Sequence, residues 1–327
     1  KNIGLNITIV LKKDIMLHFP YQSFDYVIDL LREASIDPCV KSIKMTLYRV
    51  AKNSNIINAL VNAARNGKKV TVCVELQARF DEKANISWSQ KLIEEGVNIK
   101  FGIPGLKVHS KLILIKRKEE GKNRSYVNIG TGNYNEKTAR VYADDSLFTC
   151  NPEITADVEK IFSLFENNYK QIRFKKLVVA PFFMRNFFSK MIQTEIKNVK
   201  EGKQAWIILK LNNFVDMELA KKIIKASQLG VKIKIIARGT CIIKGGIPGI
   251  TDHIEVISIV DKFLEHSRIF AFCNAGDEKY YISSADWMKR NFDLRIEVAC
   301  PIEDKAIQKE LKNILNIQLK DNTKARL

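Results

Sequence analysis

Gly105-Leu106-Lys107-Val108-His109-Ser110-Lys111-Leu112-Ile113-Leu114-Ile115 sets an imidazole and an ammonium at the mouth of an apolar run. Residues i and i+2 of a strand point to the same side, so His109 and Lys111 are expected to face one recess from a buried strand. Downstream, Gly130-Thr131-Gly132-Asn133 is a glycine-bearing turn able to present backbone N–H groups at the same place. A histidine for nucleophilic or acid–base work, a fixed cation and a donor loop together point to phosphoryl chemistry.

The chain around this stretch repeats one pattern. Residues 14–38 read as a strand and a helix with Ser23 as cap. Residues 40–50 alternate as a strand ending near Arg49, and 54–66 form a helix stopped by Gly67. A continuous buried strand at 69–76 leads to Ala78-Arg79-Phe80, with a helix at 87–95 and a short strand at 97–101. A charged hairpin at 116–124, strands at 126–129 and 146–149, and a helix at 152–165 complete the first series. From about residue 173 a second series begins, with helices at 183–199, 216–229 and 304–319 and strands at 205–211, 231–237, 254–259, 268–272, 279–283 and 295–299. Alternating strands and helices in both halves argue for α/β layers with mostly parallel strands.

The halves are copies in order and spacing. Gly67 through a strand to Arg79 parallels Gly230 through a strand to Arg238; His109-Ser110-Lys111 parallels His266-Ser267-Arg268; and Thr131-Gly132-Asn133 parallels Ser284-Ala285-Asp286. A single duplication of a domain, rather than a solenoid repeat, has this form. The expected fold class is therefore α/β, as two tandem duplicated domains, residues 1–172 and 173–327, with a two-sided active site between them.

Composition narrows the class. Of 327 residues, 46% are hydrophobic and 28% charged, enough for two globular cores, and 54 Lys and Arg against 36 Asp and Glu give +18. Such an excess implies an acidic partner: nucleic acid, an anionic membrane surface or a polyanionic small molecule. Six scattered cysteines without a C-x-x-C pair argue for reduced thiols and against a zinc or disulfide framework. No run of about 18 apolar residues predicts a membrane span. The run over residues 3–17 is broken by charge, so no secretory signal is expected and the compartment is taken as cytoplasmic. The absence of an initial Met suggests a fragment of something longer.

His-x-Lys before a strand and a Gly-x-Gly-Asn turn, repeated once, resembles the phospholipase D superfamily. That motif has an Asp five residues after the Lys; here the positions hold Lys116 and Cys273, which argues against an ordinary phosphodiesterase. A longer resemblance, from about Asp14 to Leu327, is to bacterial polyphosphate kinases of the first type. It rests on Leu47-Tyr48-Arg49, Ala78-Arg79-Phe80-Asp81-Glu82, the His109 stretch, Ile129 to Arg140, Leu209 to Asn213, Ser258 to Arg268, Ser283 to Met288 and Thr323 to Arg326. It implies the two C-terminal, phospholipase D-like catalytic domains, without that family's N-terminal and head domains. The implied reaction is reversible transfer of ATP's terminal phosphate to inorganic polyphosphate, with ADP as product and Mg²⁺ as cofactor. A homo-oligomer built through the absent domains is implied. Peripheral membrane association is compatible with the charge, and no nucleic-acid partner is expected.

The resemblance also implies roles. His109 is the nucleophile that becomes phosphohistidine, which suits a neutral imidazole, and His266 lies near the transferring phosphate, suited to acid–base work or charge stabilisation. Arg49 and Arg79 stand beside the Mg-triphosphate; as cations they suit phosphate oxygens better than the metal. Arg238 carries over as a nucleotide-phosphate contact and Tyr142 as a nucleotide contact through stacking. Lys111 and Asn133 are expected phosphate contacts. From the residues themselves, Asp144 and Glu297 hold corresponding places in Tyr142-Ala143-Asp144 and Arg295-Ile296-Glu297 and are candidates to orient the two histidines, with Asp145 a rival to Asp144. His18 and His253 read as structural. Two alternatives stand beside this reading: a phospholipase D-type phosphodiesterase or nuclease working through His109, and a non-catalytic polyanion-binding module.

Overall fold

The structure is a computed structural model. It describes residue 10 and residues 12–51, 54–75, 82–166 and 172–326, the side chains of 82–84 excepted. The chain divides into two compact units, Lys1–Leu177 and Val178–Leu327.

Unit 1 holds strands β1 (Ile15–Phe19), β2 (Val40–Leu47), β3 (Lys69–Val74), β4 (Asn98–Lys100), the two-residue β5 (Lys107–Val108), β6 (Lys111–Glu119), β7 (Lys122–Gly130) and β8 (Tyr142–Thr149). Its helices are α1 (Asp25–Ile36), α2 (Asn55–Arg65), α3 (Glu82–Glu94) and α4 (Pro152–Glu166). The sheet order is β1-β8-β7-β6-β2-β3-β4. Only β2, β3 and β4 pair in parallel; the other pairings are antiparallel. The expectation of mostly parallel strands is thus corrected, and connection length explains why. A helix crossover returns a strand in parallel, whereas β6 and β7 are joined by Glu120-Gly121, both at positive φ (49° and 79°). That tight turn matches the twist of an antiparallel hairpin.

Local sequence sets the helix ends. The Ser54 hydroxyl accepts the Ile57 N–H at the start of α2, and Gly67, at φ 75°, supplies the left-handed turn after it. Ser23 does not cap α1: the helix begins after Phe24, and the Ser23 hydroxyl instead accepts the Asp25 N–H and donates to its carboxylate. Val27, Leu30, Leu31, Ile56, Ile57 and Leu60 on the helices pack with Ile43, Met45 and Val72 on the sheet as one apolar core.

Unit 2 repeats the plan with β9 (Val178–Ala180), β10 (Trp206–Leu211), β11 (Lys232–Ala237), β12 (Ile254–Ile259), β13 (Leu264–Glu265), β14 (Ile269–Phe272), β15 (Lys279–Ser283), β16 (Arg295–Ile302) and β17 (Ala325–Arg326). Its helices are α5 (Met184–Lys200), α6 (Met217–Gln228), α7 (Lys289–Asp293) and α8 (Lys305–Leu319). The path β9-β16-β15-β14-β10-β11-β12 matches β1-β8-β7-β6-β2-β3-β4 strand for strand, and β17 is added beyond β12. The duplication read from the sequence is therefore a duplication of topology. Phe188, Phe214, Phe270, Phe272 and Trp287 form an aromatic centre for this core.

All six cysteines are free thiols, and no described helix is long and apolar enough to cross a membrane.

Glu195 lies fully buried on α5. Burial pushes its carboxyl up to about 6, against hydrogen bonds such as that from the Asn274 N–H, which lower it. Between the ordinary 4.5 and about 6 the native state holds this proton and the unfolded chain does not, so stability falls as pH rises across that window, by about 2 kcal/mol. Urea unfolding at several pH values is expected to show this decline in the wild type and to lose it in Glu195→Gln.

Candidate active site

In unit 1 the end of β2 and the start of β6 bring the candidate residues together. Thr46 ties the two strands: its hydroxyl donates to the Ser110 carbonyl (2.7 Å) and accepts the Leu112 N–H (3.0 Å). Half-buried His109 immediately precedes this tie. Buried Lys111 turns its ammonium back onto the His109 carbonyl, so backbone and cation fix each other. Tyr48 is the hub. Its ring meets the His109 ring edge-on at 4.9 Å, with the Lys111 ammonium 5.5 Å and the Arg49 guanidinium 5.8 Å from its centroid. Asn85 holds the strand ends, donating to the carbonyls of Tyr48 and Glu75. The Glu75 carboxylate accepts the Val108 N–H (2.9 Å), fixing the residue before His109.

The loop after β7 forms the other side of this half-site. Lys111 is the cross-strand neighbour of Gly130, and Gly130 of Ser146. Thr131 N–H donates to the Asp145 carbonyl, its hydroxyl accepts the Asp145 N–H, and the same hydroxyl donates to the Asp144 carboxylate (2.7 Å). Gly132 lies so near that a methyl there would stand 2.0 Å from an Asp144 oxygen, so only glycine lets the loop and the carboxylate meet. Asn133 follows with its side-chain amide oxygen Oδ1 buried and lacking a hydrogen-bond partner among the described residues. Half-buried Tyr142 opens β8, two residues before Asp144. Glu136 anchors the far end of the loop by accepting from the Ser54 hydroxyl and the Asn55 N–H at the start of α2.

Unit 2 builds the same framework with different side chains. Arg268 stands where Lys111 does and donates to the His266 carbonyl (2.7 Å). It also forms a bidentate pair with Asp286 (3.2 and 3.1 Å). Burial works to raise the Asp286 carboxyl, but the Arg268 charge and hydrogen bonds and the Asn212 N–H hold it well below the usual carboxylate range; the Asn213 N–H also donates to it (3.2 Å). Asn212 links two candidates: its amide donates to the His266 carbonyl and its oxygen accepts from Arg238 (2.7 Å). Glu297, fully buried, repeats Asp144: it accepts from the Ser284 hydroxyl, which in turn accepts the Val298 N–H, and also from Asn291 (2.6 Å).

One correspondence changes. Gly67 to Glu75 and Gly230 to Arg238 have equal length, and each final N–H bonds the strand before it, Glu75 to Leu47 and Arg238 to Leu211. Glu75, rather than Arg79, is therefore the counterpart of Arg238. Arg79 lies outside the described residues. His18, read as structural, has its Nδ1 2.6 Å from an Asp145 carboxylate oxygen. Lys116 and Cys273, at the superfamily's Asp positions, are respectively ion-paired with Glu159 and buried.

Two tandem units of matching topology, each with a histidine whose carbonyl is gripped by the cation two residues on, define a duplicated α/β chain. A solved phosphatidylserine synthase from Haemophilus influenzae shares this fold at 12% identity (TM-score 0.63, covering 96% of this chain and 88% of that one). The family descriptions "Polyphosphate kinase C-terminal domain 1" and "Polyphosphate kinase C-terminal domain 2" match residues 6–171 and 177–327. This chain belongs to the polyphosphate kinase family. It is 50% identical to a polyphosphate kinase of Vibrio vulnificus (strain YJ016) over 314 residues, 96% of this chain and 45% of the relative. It also matches the crystal structure of polyphosphate kinase from Porphyromonas gingivalis at 44% identity (TM-score 0.89), covering 96% of this chain and 48% of that one. The chain thus spans about half the length of the relatives it matches.

Proposed function

We propose that these units carry out reversible transfer of the terminal phosphate of ATP to inorganic polyphosphate through a phosphohistidine on His109. A ring nitrogen of His109 attacks the γ-phosphorus and the bond to the β,γ-bridging oxygen breaks. ADP leaves with that oxygen, and a terminal oxygen of polyphosphate then takes the phosphoryl group from the histidine. The observation that carries this reading is the half-site around Tyr48, where a half-exposed imidazole shares one ring with the Lys111 and Arg49 cations. Those cations would meet the charge that spreads over the equatorial oxygens in transfer.

In this reading His266 serves the same transfer as acid–base or charge-stabilising group, and Arg238 contacts nucleotide phosphate. Asp144 and Glu297 orient the histidines, Tyr142 stacks on the base, and Asn133 with Lys111 receives phosphate oxygens. A directly held Mg²⁺ does not fit what is present: Arg49 is a cation, and among the described residues no group of three or more His, Cys, Asp or Glu could hold a metal ion. Mg²⁺ is better placed as part of the substrate, bound by the nucleotide's own phosphates, with Arg49 and Arg79 on phosphate oxygens.

Incubation with γ-labelled ATP and Mg²⁺ tests the reading. Acid-labile label is expected on the protein, followed by label in polyphosphate when a polyphosphate primer is added. Cleavage of phosphodiesters without labelling, or polyanion binding without turnover, would overturn it.

A further inference from the structure

Because the two units share one register, each residue of unit 1's sheet can be compared with its counterpart. On β1 and β8 the cross-strand neighbours are His18 and Asp145; on β9 and β16 the neighbours at the same place are Val179 and Val298. An apolar pair therefore fills this position where the framework alone is to be served. Unit 1 instead buries a hydrogen-bonded histidine and carboxylate, with side chains 13% and 7% exposed and a separation of 2.6 Å. The second Asp145 oxygen is buried and lacks a hydrogen-bond partner among the described residues. Charges taken from water in this way seldom add net stability over well-packed apolar groups. Stability is thus a poor explanation for the exchange of two valines for His and Asp.

Position supplies a better one. Asp145 grips Thr131 through both its backbone groups, and the Thr131 hydroxyl bonds Asp144. In unit 2 the equivalent carboxylate, Glu297, also accepts from Asn291 of α7; in unit 1 the three-residue turn Thr138–Arg140 lies between β7 and β8. We infer that His18 and Asp145 are a positioning pair for phosphoryl transfer. By fixing the Asp145 side chain from β1, His18 sets where Asp144 and the Thr131–Asn133 loop stand beside Lys111. This rests on the proposed transfer and adds to it residues that act through Asp144 and the Thr131–Asn133 loop.

The double variant His18→Val/Asp145→Val installs the pair that unit 2 already accommodates, and His18→Gln keeps a hydrogen-bond donor while removing the imidazole. Each is compared with wild type in urea unfolding, ATP affinity by calorimetry and the single-turnover rate of acid-labile label from γ-labelled ATP. The valine pair is expected to keep wild-type stability and ATP affinity within about twofold while slowing phosphoryl transfer at least tenfold; His18→Gln should fall between. An unaltered transfer rate in the folded valine variant would overturn the inference, as would a loss of rate matched by an equal loss of ATP affinity. Should the valine variant not fold, a wild-type rate in His18→Gln would overturn it. Absence of labelling in the wild type would instead count against the transfer reaction itself.

Discussion

His109→Ala is expected to eliminate the acid-labile phosphoprotein and to lower phosphoryl transfer by on the order of 10⁴–10⁶-fold, as loss of a covalent nucleophile does elsewhere. The substitution is unusually clean because of how the residue is held. Lys111 bonds the His109 carbonyl, and Thr46 bonds Ser110 and Leu112, so alanine retains the backbone frame of the half-site. What is lost is a half-buried ring in edge contact with Tyr48, a change expected to cost about 1 kcal/mol of stability. ATP affinity should stay close to wild type, since the cations that meet phosphate remain. His266→Ala offers the contrast: a group that assists without bonding phosphorus should slow transfer by about 10²–10⁴ yet leave label on the protein. Undiminished label in His109→Ala would sink the covalent mechanism, whereas loss of ATP binding would mean that the imidazole serves the ground state.

The duplicated pattern of strands, helices and half-sites was legible because it depends on local signals. Gly67 and Gly230 stop helices at the same point of each copy, and His-x-Lys and His-x-Arg precede equivalent apolar runs. Strand direction was less legible: apolar runs mark β6 and β7 but not whether neighbours run parallel, which the positive-φ pair Glu120-Gly121 decides. Contacts between residues distant in sequence were illegible in a single copy. Nothing near His18 announces Asp145, and Glu75 was hidden behind the more conspicuous Arg79. The aligned copies carry one such signal. The change from Lys111 to Arg268 accompanies the change from Asn133 to Asp286, and two linked exchanges are what a buried guanidinium needing a counter-charge produces.

That counter-charge leads to the largest expected effect on stability. Arg268 is 3% exposed and Asp286 5%, and the carboxylate accepts from the guanidinium and from the N–H groups of Asn212 and Asn213 at once. Asp286→Ala leaves a permanently charged side chain buried beside two N–H groups without their acceptor, and should cost about 3–5 kcal/mol in urea unfolding of unit 2. Asp286→Asn retains an acceptor oxygen but not the charge, and should cost about 1.5–3 kcal/mol. The pH dependence has a definite sign. Because the folded carboxyl is held below its ordinary 3.8, its contribution is complete above that value and is lost as pH falls toward the lower folded one. Asp286→Ala should lack this part of the acid decline. Adding Arg268→Met to Asp286→Ala removes the stranded charge and should recover part of the loss, a coupling that a purely steric role for Asp286 would not generate. Since Arg268 also grips the His266 carbonyl, the same variants should misplace His266 and slow transfer even where unit 2 stays folded. A cost below about 1 kcal/mol for Asp286→Ala would mean that the carboxylate is not what retains the guanidinium in the core.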